Sequence, residues 1–301
     1  ELSNIILFKD FEFFASKTDS TLFFESNPYK DHYYTQNLFD SYNSALKQKQ
    51  YIINQPSTFI KVKNNYYHFY FDTLLRIIYY KQNIDPKVSL YIDNEFTNWQ
   101  KEILNILKLD EINYSILPKS QNYIYFKHFF HISFSGIGAG IADYKAIKLL
   151  NEQLTININS NNPQNKVYLS RNNAKHRKVE NEKELIALLE KYNVQTIYIE
   201  DVKSIEQQYQ IFANAKLIIA VHGASLTNLL ITKNISVVEF INEQHTVASY
   251  SHIANCLNNK YTPLPCLNVG KPDMINKQES YVLNNIKVNI EQLENIIKTN
   301  L

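Results

Sequence analysis

The stretch Lys216-Leu-Ile-Ile-Ala-Val221, followed at once by His222-Gly-Ala-Ser-Leu-Thr-Asn228, decides the fold of the second half of this chain. After Lys216, five apolar residues run without interruption, as in strands that are buried on both faces of a parallel sheet. The seven residues from His222 predict a tight turn and a short helix. The strand and turn together place the start of that helix at the carboxyl edge of the sheet.

Apolar runs and helical patterns alternate on both sides of this stretch. Strands are predicted at residues 167–170, 194–199, 235–240 and 261–264, and helices at 180–191, 204–214 and 247–257. This alternation indicates right-handed βαβ units and a parallel, Rossmann-like sheet.

The first half of the chain alternates in the same way, and a second α/β domain is predicted there. Its strands are predicted at 4–8, 21–24, 59–62, 88–92, 113–117 and 123–127, and its helices at 66–81 and 95–107. The polar, proline-containing segment 157–165 is the predicted linker between domains 1–157 and 166–301, and a last helix at 290–299 is free to pack on either. Ligands commonly bind in the cleft between two such domains.

Composition excludes several classes of protein. Of 301 residues 45% are hydrophobic, and 31 Lys and Arg nearly balance 29 Asp and Glu, for a net charge of +2. The apolar content is sufficient for a core, which excludes global disorder. The balanced charge argues against a nucleic-acid-binding protein.

Membrane spans and disulfide scaffolds are not expected either. No apolar stretch approaches the roughly 18 residues of a membrane-spanning helix. The two cysteines, Cys256 and Cys266, permit at most one disulfide and are too few for a zinc cluster. We therefore expect a protein of a reducing cytoplasm.

Glycine is scarce, with only five in the chain, so the glycines that remain are candidates for positions where a side chain cannot be accommodated. Gly136, Gly138 and Gly140 lie in one short segment, which we interpret as a mobile loop near the cleft, with a flexible surface loop as the alternative. Gly223 lies in the turn after the strand that ends at Val221, where its backbone can approach a phosphate.

That turn is a candidate anion site, because the free N–H groups of a helix N-terminus attract negative charge. Ser225 and Thr227 can add hydroxyl donors. Arg171, just after the first strand of this half, projects from the same edge and can grip a pyrophosphate, with help from Arg177. The alternatives are a plain turn and a solvated basic loop.

Glu239, placed at the end of the next predicted strand, can accept hydrogen bonds from ribose hydroxyls. The alternative for this residue is an ordinary surface carboxylate at a strand end.

The helix predicted at 66–81 carries His68, Asp72 and Arg76 at i, i+4 and i+8, on one stripe of an otherwise apolar surface. Asp72 can orient His68 as a general base. An Asp72–Arg76 ion pair beside a half-buried histidine is the alternative. The sequence has no Asp-x-Asp pair, Walker loop, His-Glu-x-x-His or Gly-x-Ser-x-Gly, which argues against metal-dependent phosphoryl transfer.

The ordered set of motifs resembles glycosyltransferase family 61. It comprises Tyr168-Leu-Ser-Arg171, Asn181-Glu182, Glu206-Gln207, the turn from His222 to Asn228, Val238-Glu239, and Asn65-Tyr-Tyr-His68 with Asp72 and Arg76. The resemblance covers roughly Asn64 to Tyr261. One departure is Ser225, where the family more often has a second glycine.

The resemblance implies a GT-B fold, in which two Rossmann-like domains face each other across a cleft. The N-terminal domain would serve the acceptor and the C-terminal domain the donor nucleotide. It implies inverting, metal-independent transfer of a hexosyl or pentosyl group from a nucleotide sugar, commonly UDP-linked. Carried onto this chain, it places His68 and Asp72 on the acceptor side, with Arg76, Gly138 and Gly140 lining the cleft, and Glu239 near the ribose. The diphosphate would be bound by Arg171, Arg177, His222, Gly223, Ala224, Ser225, Thr227 and Asn228.

The same resemblance implies a bacterial enzyme of capsule or surface-polysaccharide synthesis. Its partners would be a nucleotide-sugar donor, a glycan or glycolipid acceptor and polysaccharide-assembly proteins, without nucleic acid, metal or other cofactor. We expect it in the cytoplasm, with at most peripheral contact with the inner membrane. Two alternatives stay open: a non-catalytic nucleotide-sugar-binding scaffold, and a sugar-phosphate transferase.

Overall fold

The computed structural model describes residues 1–9, 13–18, 22–23, 43–134, 141–156, 158, 163–275 and 278–300. The chain has the α/β composition that the sequence predicts, and it divides into two compact units, Glu1–Ala146 and Ile147–Leu301. The division falls inside a helix that precedes the predicted linker at 157–165.

The first unit consists of one sheet and the helices around it. Its strands are β1 (Leu2–Phe8), β2 (Phe13–Ser16), β3 (Leu22–Phe23), β4 (Tyr51–Ile53), β5 (Ser57–Ile60), β6 (Ser89–Ile92), β7 (Tyr114–Ile116) and β8 (Tyr123–Phe129). Its helices are α1 (43–47), α2 (Tyr66–His68), α3 (Leu75–Asn83) and α4 (Asn98–Ile106), and α5 (Tyr144–Thr155) continues into the second unit.

This sheet is mixed rather than parallel throughout, which corrects the prediction of a second Rossmann-like sheet. The strand order is β3-β2-β1-β8-β5-β6-β7, with β4 also paired to β8. Strands β4 to β8 pair in parallel, whereas β1, β2 and β3 pair antiparallel. Only residues 9–12 separate β1 from β2, too few for the crossover of a dozen or more residues that parallel neighbours require.

The helical segment from Tyr66 to Asn83 is not a continuous α-helix. A π-helical segment, Phe69–Leu74, joins α2 to α3, and all six of its residues are buried. A π-helix bonds i to i+5, so this segment departs from the regular α-helix that the sequence predicts, yet the i, i+4 contact between His68 and Asp72 is kept. The Asn65 side chain accepts from the backbone N–H of His68 and caps the helix start.

The second unit alternates strands and helices as predicted. Its strands are β9 (Asn165–Ser170), β10 (Gln195–Tyr198), β11 (Ala215–Val221), β12 (Ser236–Asn242), β13 (Lys260–Val269), β14 (Asp273–Ile275), β15 (Gln278–Ser280) and β16 (Asn285–Lys287). Its helices are α6 (Glu182–Lys191), α7 (Ile205–Ala213), α8 (Ser249–Cys256) and α9 (Ile290–Asn300), with 3₁₀ segments at Ile199–Asp201 and Ala224–Ile231.

The main sheet of this unit has the order β10-β9-β11-β12-β13-β16. The first five strands are parallel, as the sequence predicts, and β16 is antiparallel to β13. The chain goes from β9 outward to β10 and then crosses back to β11, so the direction of winding reverses between β9 and β11. The carboxyl ends of the two strands at such a switch point are the usual ligand site of an open parallel sheet.

Helix α9 packs on the second unit, which answers the question that the sequence leaves open. Its Leu293 and Ile297 are fully buried in a core shared with Leu185 of α6 and Phe240 of β12. Among the described residues, no helix combines the length and the apolar character that a crossing of the membrane would require.

Candidate functional site

Two turns meet at the switch point of the second unit. Arg171 directly follows β9, and His222 and Gly223 directly follow β11. A Cβ atom added to Gly223 would lie 2.6 Å from Nη1 of Arg171, closer than a carbon and a nitrogen can approach. The φ angle of Gly223 is 178°, an extended conformation that any residue adopts. Glycine therefore leaves room here for the guanidinium of Arg171, and it is not needed for the backbone conformation.

Arg171 and Arg177 form a pair of cations at this edge. Neither lies within ion-pair distance of a carboxylate in the part of the chain that the structure describes. Arg177 donates from Nη1 to the carbonyl oxygen of His222 at 3.0 Å, while the Nε atoms of both arginines are buried without a hydrogen-bond partner. Burial lowers the pKa of both guanidinium groups, and the charge of Arg171 lowers the pKa of Arg177 further. Glu200 is the one carboxylate that acts electrostatically on Arg171 among the described residues, and it is not in ion-pair contact with it. Two half-buried cations without such a contact favour the binding of an anion.

The backbone of Arg177 is in the left-handed region, with φ of 60°. A non-glycine residue pays about 1–2 kcal/mol for this conformation. Backbone strain of this kind concentrates at functional sites. Here it accompanies the hydrogen bond that holds the guanidinium against the turn at His222.

The helix after the turn is a 3₁₀ segment, Ala224–Ile231, and only its first residues are near the surface. Ala224 and Ser225 are half-buried, whereas Thr227 and Asn228 are 0% and 1% exposed. Neither side chain thus presents an exposed polar atom, although the Thr227 hydroxyl is buried without a hydrogen-bond partner among the described residues. Ligand contact by Thr227 and Asn228 stays a prediction. Ser225 and the backbone around Gly223 are the polar groups that the turn can present.

Glu239 is not at a strand end and is not a surface carboxylate. Strand β12 continues to Asn242, and Glu239 is fully buried in its middle. One carboxylate oxygen accepts from Nδ1 of His222 at 2.5 Å, and the other accepts from the Tyr261 hydroxyl at 2.6 Å. The carboxylate has no exposed surface, which corrects the expectation of direct contact with a ribose.

Strand register explains why these three side chains meet. Ala220 of β11 lies opposite Glu239, and Val237 of β12 lies opposite Tyr261. Alternate residues share one face of a sheet, so His222, Glu239 and Tyr261 project from the same face of three neighbouring strands. Burial and the charge of Glu239 raise the pKa of the Tyr261 hydroxyl, which therefore stays protonated and donates.

His222 lies in a half-buried ring cluster that sequence reasoning missed. Its side chain is 14% exposed, and its ring centroid is 5.0 Å from that of Tyr250 on α8 and 6.4 Å from that of His245. Burial and the charge of Glu239 raise the pKa of Tyr250. The pKa of His245 is lowered, mainly by burial and further by the positive charges of His222 and Arg177. The two-residue alternation along β13 could have indicated the face of the sheet on which Tyr261 lies, but no motif in the sequence points to His245 or Tyr250.

The first unit contains the other predicted pair. Nδ1 of His68 and Oδ2 of Asp72 are 2.8 Å apart, with the histidine side chain 36% exposed and the aspartate side chain 5% exposed. A buried carboxylate thus orients an accessible imidazole, as in a general base. Asp72 belongs to the π-helical segment, a distortion that is frequent at functional sites.

Arg76 does not line an open surface, contrary to expectation. It is 2% exposed, its Nη2 donates to the carbonyl oxygen of Phe59 at 2.9 Å, and its guanidinium lies 4.7 Å from the ring centroid of Phe134. Its contacts are those of a structural residue in the core of the first unit. Gly136, Gly138 and Gly140 lie outside the described residues.

His131 is a further titratable group that the sequence did not single out. Its ring packs against those of Phe14 and Phe129, and neither ring nitrogen has a hydrogen-bond partner among the residues described. Burial, together with the charge of Arg76, lowers its pKa to about 4. In the same part of the chain, no group of three or more His, Cys, Asp or Glu side chains is placed to hold a metal ion.

Comparison with known proteins identifies the family. The family model described as glycosyltransferase 61 matches residues 66–238, which is more than half of the chain. This range includes the His68–Asp72 pair, both arginines and the turn at His222. A search of curated proteins found no significant match. The chain belongs to glycosyltransferase family 61, and it is a glycosyltransferase, with a sugar donor and a glycan acceptor as its substrates.

Proposed function

We propose that this protein is an inverting, metal-independent glycosyltransferase. It transfers a hexosyl or pentosyl group from a nucleotide sugar, UDP-linked by preference, to a hydroxyl of a glycan or glycolipid acceptor. The observation that carries the proposal is the pair of half-buried arginines, Arg171 and Arg177, beside Gly223. Neither arginine has a carboxylate within ion-pair distance among the described residues.

The arginines are the main diphosphate-binding groups in this proposal. A helix end contributes about 0.3–1 kcal/mol to the binding of an anion, whereas one charge-assisted hydrogen bond contributes about 1.5–3 kcal/mol. Arg171 and Arg177 can each offer several N–H donors in a planar fork. They stabilise the negative charge on the departing nucleoside diphosphate, the part that a divalent metal takes in other transferases.

His68 is the proposed base, with Asp72 as the residue that orients it. Asp72 accepts from Nδ1, so Nε2 is the nitrogen that removes the proton of the acceptor hydroxyl as the sugar is transferred. General-base catalysis of this kind contributes about 10²–10⁴ to the rate. Inversion follows from direct displacement of the diphosphate by the deprotonated hydroxyl.

The wider setting is proposed on the family resemblance. It comprises the GT-B arrangement, a bacterial role in capsule or surface-polysaccharide synthesis, association with assembly proteins, and a cytoplasmic location with at most peripheral membrane contact.

Calorimetric titration with UDP, GDP and CMP, in EDTA and again with magnesium, tests the donor site. Micromolar binding of UDP in EDTA is the expected result. Absence of binding by all three nucleotides, or binding that requires magnesium, would contradict the proposal. Incubation with UDP-sugars and acceptor glycans, followed by mass measurement of the product, separates sugar transfer from sugar-phosphate transfer and from binding alone.

Two variants separate the proposed roles. His68→Ala should abolish transfer and leave nucleotide affinity nearly unchanged, whereas Arg171→Ala should weaken nucleotide binding itself. His128→Ala is the matched control, because His128 is an exposed histidine of the same unit as His68. Equal losses of nucleotide affinity in the His68 and Arg171 variants would refute these assignments.

A further inference from the structure

We propose that His222 is a hydroxyl acceptor for the nucleotide-sugar donor, and that Glu239 and Tyr261 are the positioning residues that make it one. This inference rests on the proposed donor site of the second unit. It assigns to His222 the contact with a donor hydroxyl that Glu239, being buried, cannot make.

The hydrogen bond to Glu239 determines which nitrogen of His222 carries its proton. An ionised carboxylate only accepts hydrogen bonds, so the ring donates from Nδ1. In the neutral imidazole the other nitrogen, Nε2, then holds a lone pair. Nε2 has no hydrogen-bond partner among the described residues, and the side chain keeps 14% of its surface exposed. The free lone pair is an acceptor at the carboxyl edge of the sheet.

The carboxylate that orients His222 is itself held on its second oxygen. The Tyr261 hydroxyl donates at 2.6 Å, so both oxygens of the fully buried group are satisfied by neighbouring strands. A carboxylate bonded on both sides cannot rotate away without leaving a buried donor unpaired. The imidazole is therefore held in one orientation and one tautomer.

A hydroxyl fits Nε2 better than a phosphate oxygen does. A lone pair repels the acceptor-only oxygens of a diphosphate, whereas a hydroxyl has a proton to donate. The phosphates have Arg171 and Arg177 as cationic partners, and Arg177 is bonded to the carbonyl oxygen of His222 itself. The same turn thus presents donors for phosphate and one acceptor for a hydroxyl. That hydroxyl belongs either to the ribose or to the transferred sugar.

A pair of isosteric variants tests the role of Nε2. In His222→Asn the amide nitrogen replaces Nδ1 and still donates to Glu239, but nothing replaces Nε2. His222→Gln places an amide near the Nε2 position instead. The probes are UDP, 2′-deoxy-UDP, 3′-deoxy-UDP and UDP-glucose, titrated calorimetrically, with His128→Asn as the control for a histidine outside the site.

His222→Asn should weaken binding by about 3- to 10-fold for the probes that carry the contacted hydroxyl, and His222→Gln should weaken it less. If the contacted hydroxyl belongs to the ribose, wild type and His222→Asn should bind the deoxy-UDP that lacks this hydroxyl with equal affinity. If it belongs to the transferred sugar, His222→Asn should bind UDP-glucose more weakly than wild type does, and UDP equally well. Wild-type affinity of His222→Asn for all four probes, or the same loss for all four, would overturn the inference. If wild type binds no probe, the donor site of the proposed function fails instead.

The positioning role has its own readout, which does not depend on nucleotide binding. NMR of the isotope-labelled ring nitrogens should show the Nδ1–H tautomer of His222 in wild type and in Glu239→Gln, whose side-chain oxygen can still accept. The double variant Glu239→Leu with Tyr261→Phe removes the carboxylate together with the buried hydroxyl that would otherwise lose its acceptor, so that only Nδ1 of His222 loses its partner. This variant should lose the tautomer and the hydroxyl-dependent affinity together. An Nε2–H tautomer in wild type would overturn the positioning role, even if the double variant fails to fold.

Discussion

Gly223→Ala should separate nucleotide binding from folding, because the added methyl group meets only the end of one flexible side chain. The new Cβ would lie 2.6 Å from Nη1 of Arg171, so the guanidinium must retreat by about 0.8 Å to reach ordinary contact at 3.4 Å. The nearest backbone atom, the carbonyl oxygen of Val221, is 3.6 Å from the new Cβ, and φ of 178° suits alanine. The free energy of unfolding should therefore change by less than about 1 kcal/mol.

The displaced guanidinium should lose a charge-assisted hydrogen bond to the diphosphate, worth about 1.5–3 kcal/mol. UDP affinity should then fall by about 10- to 100-fold, since 1.4 kcal/mol corresponds to a factor of ten. If the loss acts through Arg171, Gly223→Ala should cost little more in an Arg171→Ala background.

The assay is a double-mutant cycle, with UDP affinity measured by calorimetry and stability measured by urea unfolding. Gly270→Ala is the matched control: with φ of 121° it should destabilise the fold by about 1–2 kcal/mol and leave UDP affinity unchanged. Strict additivity of Gly223→Ala and Arg171→Ala, or wild-type affinity of Gly223→Ala, would refute the reasoning.

Three further predictions concern single residues. Asp72→Asn should lower kcat at least about 100-fold in a transfer assay, because His68 loses its orienting carboxylate, and a parallel loss of UDP affinity would contradict this. Arg177→Gly should be about 1 kcal/mol more stable to urea than Arg177→Ala, because only glycine relieves φ of 60°, while both variants lose UDP affinity alike. His131→Phe should remove a stability loss in acid. The pKa of His131 is about 4 in the folded protein against an ordinary 6.5. The free energy of unfolding of the wild type should therefore fall by about 3 kcal/mol through His131 as the pH falls from 6.5 to 4, whereas the variant should not show this loss. Urea unfolding at both pH values measures the difference. Equal pH dependence of the two proteins would exclude His131 as the cause.

Local patterns in the sequence determined the second unit and the identity of the family. Most parallel strands there contain a short apolar run, which is uninterrupted from Leu217 to Val221 in β11, and most helices carry helical periodicity. The order and direction of the strands follow from the short connections between them. The motifs around Arg171 and His222 also follow strands β9 and β11, and parallel strands bring their carboxyl ends to one edge. The i, i+4 spacing of His68 and Asp72 likewise determined a contact that one helical turn can make.

Contacts between distant strands were decided only by the tertiary structure. Glu239 meets His222 across 17 residues of sequence and Tyr261 across 22, and both contacts depend on strand register and burial, which no local pattern specifies. The π-helical segment around Asp72 and the burial of Arg76 depend in the same way on packing against the rest of the first unit. Sequence periodicity determines which face a residue occupies, whereas the partner that it meets on that face depends on how neighbouring strands and helices pack.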